Sequence, residues 1–254
     1  MRGVPVGRYI GAVPDSLIRF IPDAATTMLV VPAALLYGAA AAAFAGWLRI
    51  RRAVRVPYTR KIFHFLILSA ATLVHLQWGV RGVVVYGTVI ALLVVAAVLR
   101  GDGFAFYEAI ARGTDAPRRS LFIIVPLITT AVGGVLANVF FPAWAHIGYM
   151  AVAWGDAVGE PVGTRWGRHR YRVPSIGGVA AVRSVEGSAA VLITTMLACG
   201  IVLRLGGLEP AAVLGAAALV GIVTALVEAL SHHGFDNLTI QLAAAGAATF
   251  VLGG

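Results

Sequence analysis

Eight predominantly apolar stretches, 15 to 22 residues long, dominate the chain at about 27–48, 62–78, 82–99, 121–141, 143–163, 187–205, 210–230 and 238–252. A helix rises 1.5 Å per residue, so about 20 residues cross the roughly 30 Å hydrocarbon layer of a bilayer. Backbone polar groups in lipid must be satisfied within the segment, and no period-two alternation competes with these runs. The sequence therefore predicts an all-α, polytopic integral membrane protein with about 7–8 transmembrane helices, the short last stretch being the least secure. Residues 1–26 read as an N-terminal extension and 27–254 as a single transmembrane domain. The first run is too long for a signal-peptide core and ends in Trp47-Leu48-Arg49 rather than small residues, so it reads as a retained span.

Only 12% of the side chains are charged, against about a quarter in soluble domains, and no polar stretch is long enough for a large soluble domain. The single Cys199 argues against a disulfide scaffold or a multi-cysteine metal site. The net charge of +9 lies between the apolar runs. Anionic lipid headgroups and a phosphorylated substrate are thus the expected partners, and nucleic acid is not. Nineteen of the 20 basic residues are Arg, a compositional bias that gives the choice of Arg over Lys little functional weight. Six basic residues fall in 49–61, four in 100–119 and five in 164–186, with one or none in the loops between. By the positive-inside rule those three loops, and 231–237 with them, face the cytoplasm, and both termini lie outside. Arg2, Arg8 and Arg19 weigh against that placement of the N-terminus.

The richest chemistry lies in 154–188. Asp156 and Glu160 are four apart, so a helix carries both carboxylates on one face, where they can share a divalent cation. Charges in a spanning segment cost about 2.5–3.5 kcal/mol each, which argues for a purpose. Gly155, Gly159, Gly163 and Gly167 form a side-chain-free stripe whose simplest reading is close helix packing. Pro161 removes a backbone donor and predicts a kink or break beside the acids. Arg165, Arg168, Arg170 and Arg172 follow, and Arg183-Ser184-Val185-Glu186-Gly187-Ser188 opens the next span with donors for an anion.

Arg60, Lys61 and His64 lie within about one turn where the second span leaves the cytoplasm. Glu228 and 231–237 form the last cytoplasmic loop in this reading, so the polar residues converge on one face. His75, Gln77 and His146 fall at the other face and read as interfacial. His232 and His233 point apart on a helix with no third ligand at suitable spacing, and read as loop residues.

In order, Arg60-Lys61-x-x-His64, Gly155-Asp156-x-x-Gly159-Glu160, Arg183-Ser184-x-Glu186-Gly187-Ser188 and Glu228 with Asp236-Asn237-Leu238-Thr239 resemble the motifs of the diacylglycerol/polyprenol kinase family. That family groups dolichol kinase, phytol kinase and the CTP-dependent diacylglycerol kinase, and is related to the phosphatidate cytidylyltransferases. The resemblance covers about 58–250. It departs from the family where Glu160 replaces a frequent Asp and Arg183 a frequent Lys. The ending Asp236-Asn237-Leu238-Thr239 is closer to the kinases than to the His-Gly-Gly-x-x-x-Asp-Arg ending of the cytidylyltransferases.

The resemblance implies a CTP-dependent kinase acting on an isoprenoid alcohol or diacylglycerol at the cytoplasmic face. Asp156 and Glu160 would hold Mg²⁺, with Asp236 as a further ligand. Arg183, Ser184, Gly187 and Ser188, with Gly155, Gly159, Gly163, Arg165, Gly167 and Asn237, would form the nucleotide and phosphate cradle. Arg60 and Lys61 would neutralise the leaving diphosphate, and the base is open among His64, Glu186 and Glu228. Two rivals stand beside this reading: CDP-lipid synthesis with the same groups, and a proton- or cation-coupled transporter. A transporter predicts a matching broken helix in an inverted half, and no second Gly-Asp-type segment is present.

Overall fold

The computed structural model describes residues 18–174, 181–232 and 234–253. Helix α1 (Ala24–Arg51) begins at Asp23, whose carboxylate accepts a 2.8 Å hydrogen bond from the Thr26 amide and so satisfies one of the helix's free donors. Helix α2 (Val56–Arg100) is interrupted at Gly79, where φ is 61° and ψ is −156°, a conformation that glycine alone adopts readily. Tyr86 Oη lies 3.0 Å from the Ile67 carbonyl, 19 residues earlier, whereas a straight helix would separate the two by about 28 Å. The element is therefore a helical hairpin, and its two limbs are the expected runs 62–78 and 82–99.

The short α3 (Ala105–Ile110) and a 3₁₀ turn (Gly113–Asp115) lead into α4 (Leu121–Phe140). Then come α5 (Ala145–Met150), a π-helical segment (Ala151–Asp156) and α6 (Ala157–Trp166). Strands β1 (Arg170–Val173) and β2 (Ala181–Ser184) pair antiparallel with Tyr171 opposite Arg183. Helices α7 (Val185–Leu205), α8 (Pro210–Leu230) and α9 (Asp236–Leu252) complete the chain.

Five of these helices, α1, α2, α4, α7 and α8, are long and apolar enough to cross a membrane. The expected 7–8 separate spans are not found as such. Two expected runs merge into α2, run 143–163 is divided by its π turn, and α9 is only 17 residues long. The fold is all-α as expected, with one small two-stranded hairpin added whose four-residue strands are too short to register as alternation. Small side chains fill the interior, among them Ala45, Ala109, Ala153, Ala216 and Ala244, while Leu36, Leu99, Leu205 and Phe250 project outward. That inside-small, outside-large arrangement suits helices that pack without a hydrophobic drive between them.

The segment from Ala145 to Ala153 is buried throughout and packs against α2, α7 and α9, so it forms the axis of the bundle. Its first turn belongs to a neutral polar cluster. His146 is buried, 8% exposed, and stacks on His75 at 5.6 Å, which corrects its reading as an interfacial residue. Asn138 Oδ1 accepts from His75 Nε2 at 3.0 Å, and Asn138 Nδ2 donates to the Gly134 carbonyl at 2.8 Å and to Tyr149 Oη. Near the same end Arg19 donates to the Asn138 carbonyl at 3.0 Å, and Arg81 faces Asp23 at 3.7 Å.

Candidate active site

At the opposite end of the axis the chain places its charge. Helix α2 starts at Arg55 with Pro57 in its first turn, where a missing N–H costs nothing, and this start directs Arg60 and Lys61 inward. Lys61 is only 4% exposed, with its Nζ 2.6 Å from Asp156 Oδ2 and 3.4 Å from Glu160 Oε2. The two carboxylates thus converge on one cation, as their four-residue spacing predicts. One turn further along α2, His64 Nε2 lies 3.4 Å from Asp156 Oδ2.

Asp156 is the last residue of the π segment. Pro161, within α6, has no N–H to give the Ala157 carbonyl, yet α6 runs through it without a break, and the irregular turn lies in the π segment just before α6. The expected irregularity is therefore present, upstream of the proline. The glycine stripe then seats α6 on α7. A Cβ on Gly159 would lie 2.5 Å from Val191 Cγ2, and one on Gly187 would lie 2.9 Å from the Gly159 carbonyl. Close helix packing accounts for the stripe.

A cavity of about 760 Å³ opens beside these residues. Twelve expected site residues line it: Arg60, Lys61, Asp156, Gly159, Glu160 and Gly163 on one side, and Arg183, Ser184, Gly187, Ser188, Glu228 and Asp236 on the other. Glu228 belongs to α8 rather than to the loop after it. Arg183 on β2 reaches Glu228 Oε1 at 2.9 Å and Asp236 Oδ2 at 3.1 Å. Ser188 Oγ donates to Glu228 at 3.3 Å and meets Tyr171 Oη at 2.8 Å. Ser184 is the N-cap of α7, accepting from the Gly187 amide at 3.1 Å. Its hydroxyl is engaged in ordering the helix start that faces the cavity.

Six expected residues are placed elsewhere. Glu186 lies outside the cavity wall, accepting from the His169 backbone at 3.3 Å and meeting the His169 ring at 2.8 Å. Arg165 is exposed over the Trp166 ring. Asn237 is buried and donates to Thr130 Oγ1 at 2.7 Å, joining α9 to α4. Gly155 packs on Val191 and Thr195, Gly167 packs on Ser184, and His64 sits behind Asp156. The expected three-carboxylate metal set divides: Asp156 and Glu160 meet at Lys61, while Asp236 is held by Arg183. Among the described residues no group of three metal-ligating side chains occurs. His233 lies outside the described residues, as does the expected loop segment 175–178.

Sequence reasoning missed Arg55, Arg112, Thr114 and Asp115 in the cavity wall; Arg170, from the arginine run after α6, lines it as well. Arg112 pairs with Glu160. Burial works against its charge, but the adjacent Glu160 outweighs burial and raises the guanidinium pKa above its ordinary value. A fork from Arg119 to Asp102 at 2.6 Å, Glu108 at 2.8 Å and the Ala111 carbonyl at 3.1 Å organises this loop. The Arg119 hydrogen bond holds the Glu108 carboxyl below its usual range. Asp102, Glu108 and Asp115, the acids of an otherwise basic loop, were the available signal.

Among curated proteins the chain is similar to a phytol kinase of Synechocystis sp. (strain ATCC 27184 / PCC 6803 / Kazusa), with 36% identity over 116 residues. The match takes in 44% of this chain and 48% of that protein, so it spans about half the length of the relative. No family model matches the chain. No solved structure matches it.

Proposed function

We propose that the chain is a lipid-alcohol kinase. It moves the γ-phosphoryl group of a nucleoside triphosphate, CTP by the motif resemblance, onto the hydroxyl of an isoprenoid alcohol or of diacylglycerol. The observation that carries this reading is the cavity: two carboxylates converging on one cation, with Arg55, Arg60, Arg112, Arg170 and Arg183 around them, at the end of an apolar bundle. Phosphoryl transfer asks a protein mainly for positioning and charge neutralisation. The similarity to a phytol kinase supports the same reaction class.

Asp156 and Glu160 fit Mg²⁺, because they are hard oxygen donors that already share a cation and Mg²⁺ in such sites takes one or two carboxylates plus waters and phosphate oxygens. Held there it would neutralise charge on the triphosphate. Arg60 and Lys61 orient the β and γ phosphates. The lipid hydroxyl oxygen bonds to the γ-phosphorus as the bond to the bridging oxygen breaks, and the nucleoside diphosphate leaves. Glu228 takes the hydroxyl proton, since it lines the cavity while Glu186 faces away from it. In the same reading both limbs of α2, the α5 to α6 segment and α9 also cross the bilayer, giving eight crossings. The basic loops collect at the cavity end, which the positive-inside rule assigns to the cytoplasm.

Purified protein incubated with CTP labelled at the α- or the γ-phosphorus, Mg²⁺ and a panel of phytol, farnesol, undecaprenol and diacylglycerol tests the reading. The expected result is γ-label in a lipid monophosphate, no α-label in lipid, and CTP more effective than ATP. Lipid-bound α-label with pyrophosphate release would assign CDP-lipid synthesis instead, and no transfer from either label would favour transport.

A further inference from the structure

The four carboxylates at the cavity, Asp156, Glu160, Glu228 and Asp236, are all engaged by cations: Lys61 and Arg112 on one side, Arg183 on the other. Over the whole wall six cationic side chains, Arg55, Arg60, Lys61, Arg112, Arg170 and Arg183, face five acids, those four and Asp115. A triphosphate entering this wall meets three cations already committed to carboxylates, Lys61, Arg112 and Arg183. If a divalent cation takes Asp156 and Glu160, their present partners are released beside the phosphates.

Arg112 is built for such an exchange. Its guanidinium presents several donors in a plane, which matches phosphate as well as carboxylate. The backbone just ahead of it is anchored at two carbonyls without help from the cavity carboxylates. Arg119 ties Ala111 to Asp102 and Glu108, and Thr59 Oγ1 donates to the Ala109 carbonyl at 2.6 Å. Glu160 is fixed on α6, which the glycine stripe seats against α7. A change of partner therefore needs only rotation of one side chain.

Resting on the kinase reading, we propose that Arg112 is a phosphate-binding residue that exchanges partners: it neutralises Glu160 in the geometry described above, and a phosphate oxygen of the bound nucleoside triphosphate once a divalent cation claims that carboxylate. The loop between α2 and α4 thereby becomes part of the nucleotide site, beside the four motifs recognised in the sequence. The same side chain competes with the metal when no nucleotide is bound and holds the nucleotide when the metal is in place.

That dual role gives two opposite signs. With Arg112→Gln, Mn²⁺ used as a probe in the absence of nucleotide and followed by electron paramagnetic resonance should bind several-fold tighter, because its competitor is gone. The Mg²⁺ complex of β,γ-methylene-CTP, followed by equilibrium dialysis, should bind about tenfold more weakly, the loss of one charge-assisted contact. Arg112→Lys should fall between wild type and Arg112→Gln in both assays, and it carries the test if the Gln variant fails to fold. A role confined to tying down the loop would weaken both affinities together, and that result, or an unchanged nucleotide affinity, overturns the exchange while leaving the kinase reading intact. Wild-type protein that binds no nucleoside triphosphate overturns the kinase reading itself.

Discussion

At one end of the bundle His75, Asn138, His146 and Tyr149 bury neutral polar groups that pair with one another. At the other end Lys61, Asp156, Glu160, Arg112, Arg183, Glu228 and Asp236 bury charge around a cavity of about 760 Å³. The two clusters share the same central segment, since Tyr149 and Asp156 are seven residues apart. Neutral groups that satisfy one another fix how helices meet and leave nothing to offer a ligand. Buried ion pairs contribute little net stability over an apolar core, and Arg183 Nη1 keeps no hydrogen-bond partner among the described residues. The contrast separates polar packing from a site prepared for charge that arrives with a ligand.

Four substitutions test the charged end, from the largest effect to the smallest. Asp156→Asn should lower phosphoryl transfer at least ~10²-fold, equivalent to about 2.7 kcal/mol of transition-state stabilisation, as measured by γ-label in lipid. Its Tm should fall only modestly, because Glu160 still faces Lys61. Lys61→Met leaves Asp156 and Glu160 without that cation and should cost about 3–5 kcal/mol of stability, read by thermal unfolding, with part of the loss restored by Mg²⁺. Gly159→Val pushes into Val191 and the Gly187 backbone. It should cost about 1–3 kcal/mol and reduce turnover by separating α6 from α7. Glu186→Gln alters a partly exposed contact with His169 outside the cavity, and its Tm should stay close to that of wild type. A large activity loss from Glu186→Gln would move the base to that residue.

The charged core of the site was legible because its spacing is local. Asp156 and Glu160 keep one face across the junction from π to α helix, and Arg60 and Lys61 follow from a short motif at a helix start. The long apolar runs likewise disclosed the helices, and the gap at Gly79 separated the two limbs of α2 before the hairpin was seen. Arg112 was not legible, because an arginine in a basic loop looks like its neighbours until the Arg119 fork and Glu160 single it out. Strands β1 and β2 were too short to show a period. Asp236 resembles a metal ligand in its motif, and its ion pair with Arg183 could not be read from local spacing, because that residue lies 53 positions away in sequence. In the proposed reading the acceptor was not legible for a different reason: Leu, Val and Ala read alike in any apolar groove.

The most direct test of the division between the two ends is to measure phosphoryl transfer and thermal stability together in Asp156→Asn and Asn138→Leu, with rates expressed per folded molecule. Asn138→Leu removes a buried partner from His75 and Tyr149 and should cost about 1–3 kcal/mol of stability. Its rate should stay within about threefold of wild type, as expected for a substitution far from the reacting groups. Asp156→Asn should show the reverse, with transfer lost and most of the stability kept. Equal loss of transfer in both variants, or transfer retained in Asp156→Asn, would contradict the assignment of the chemistry to the charged end.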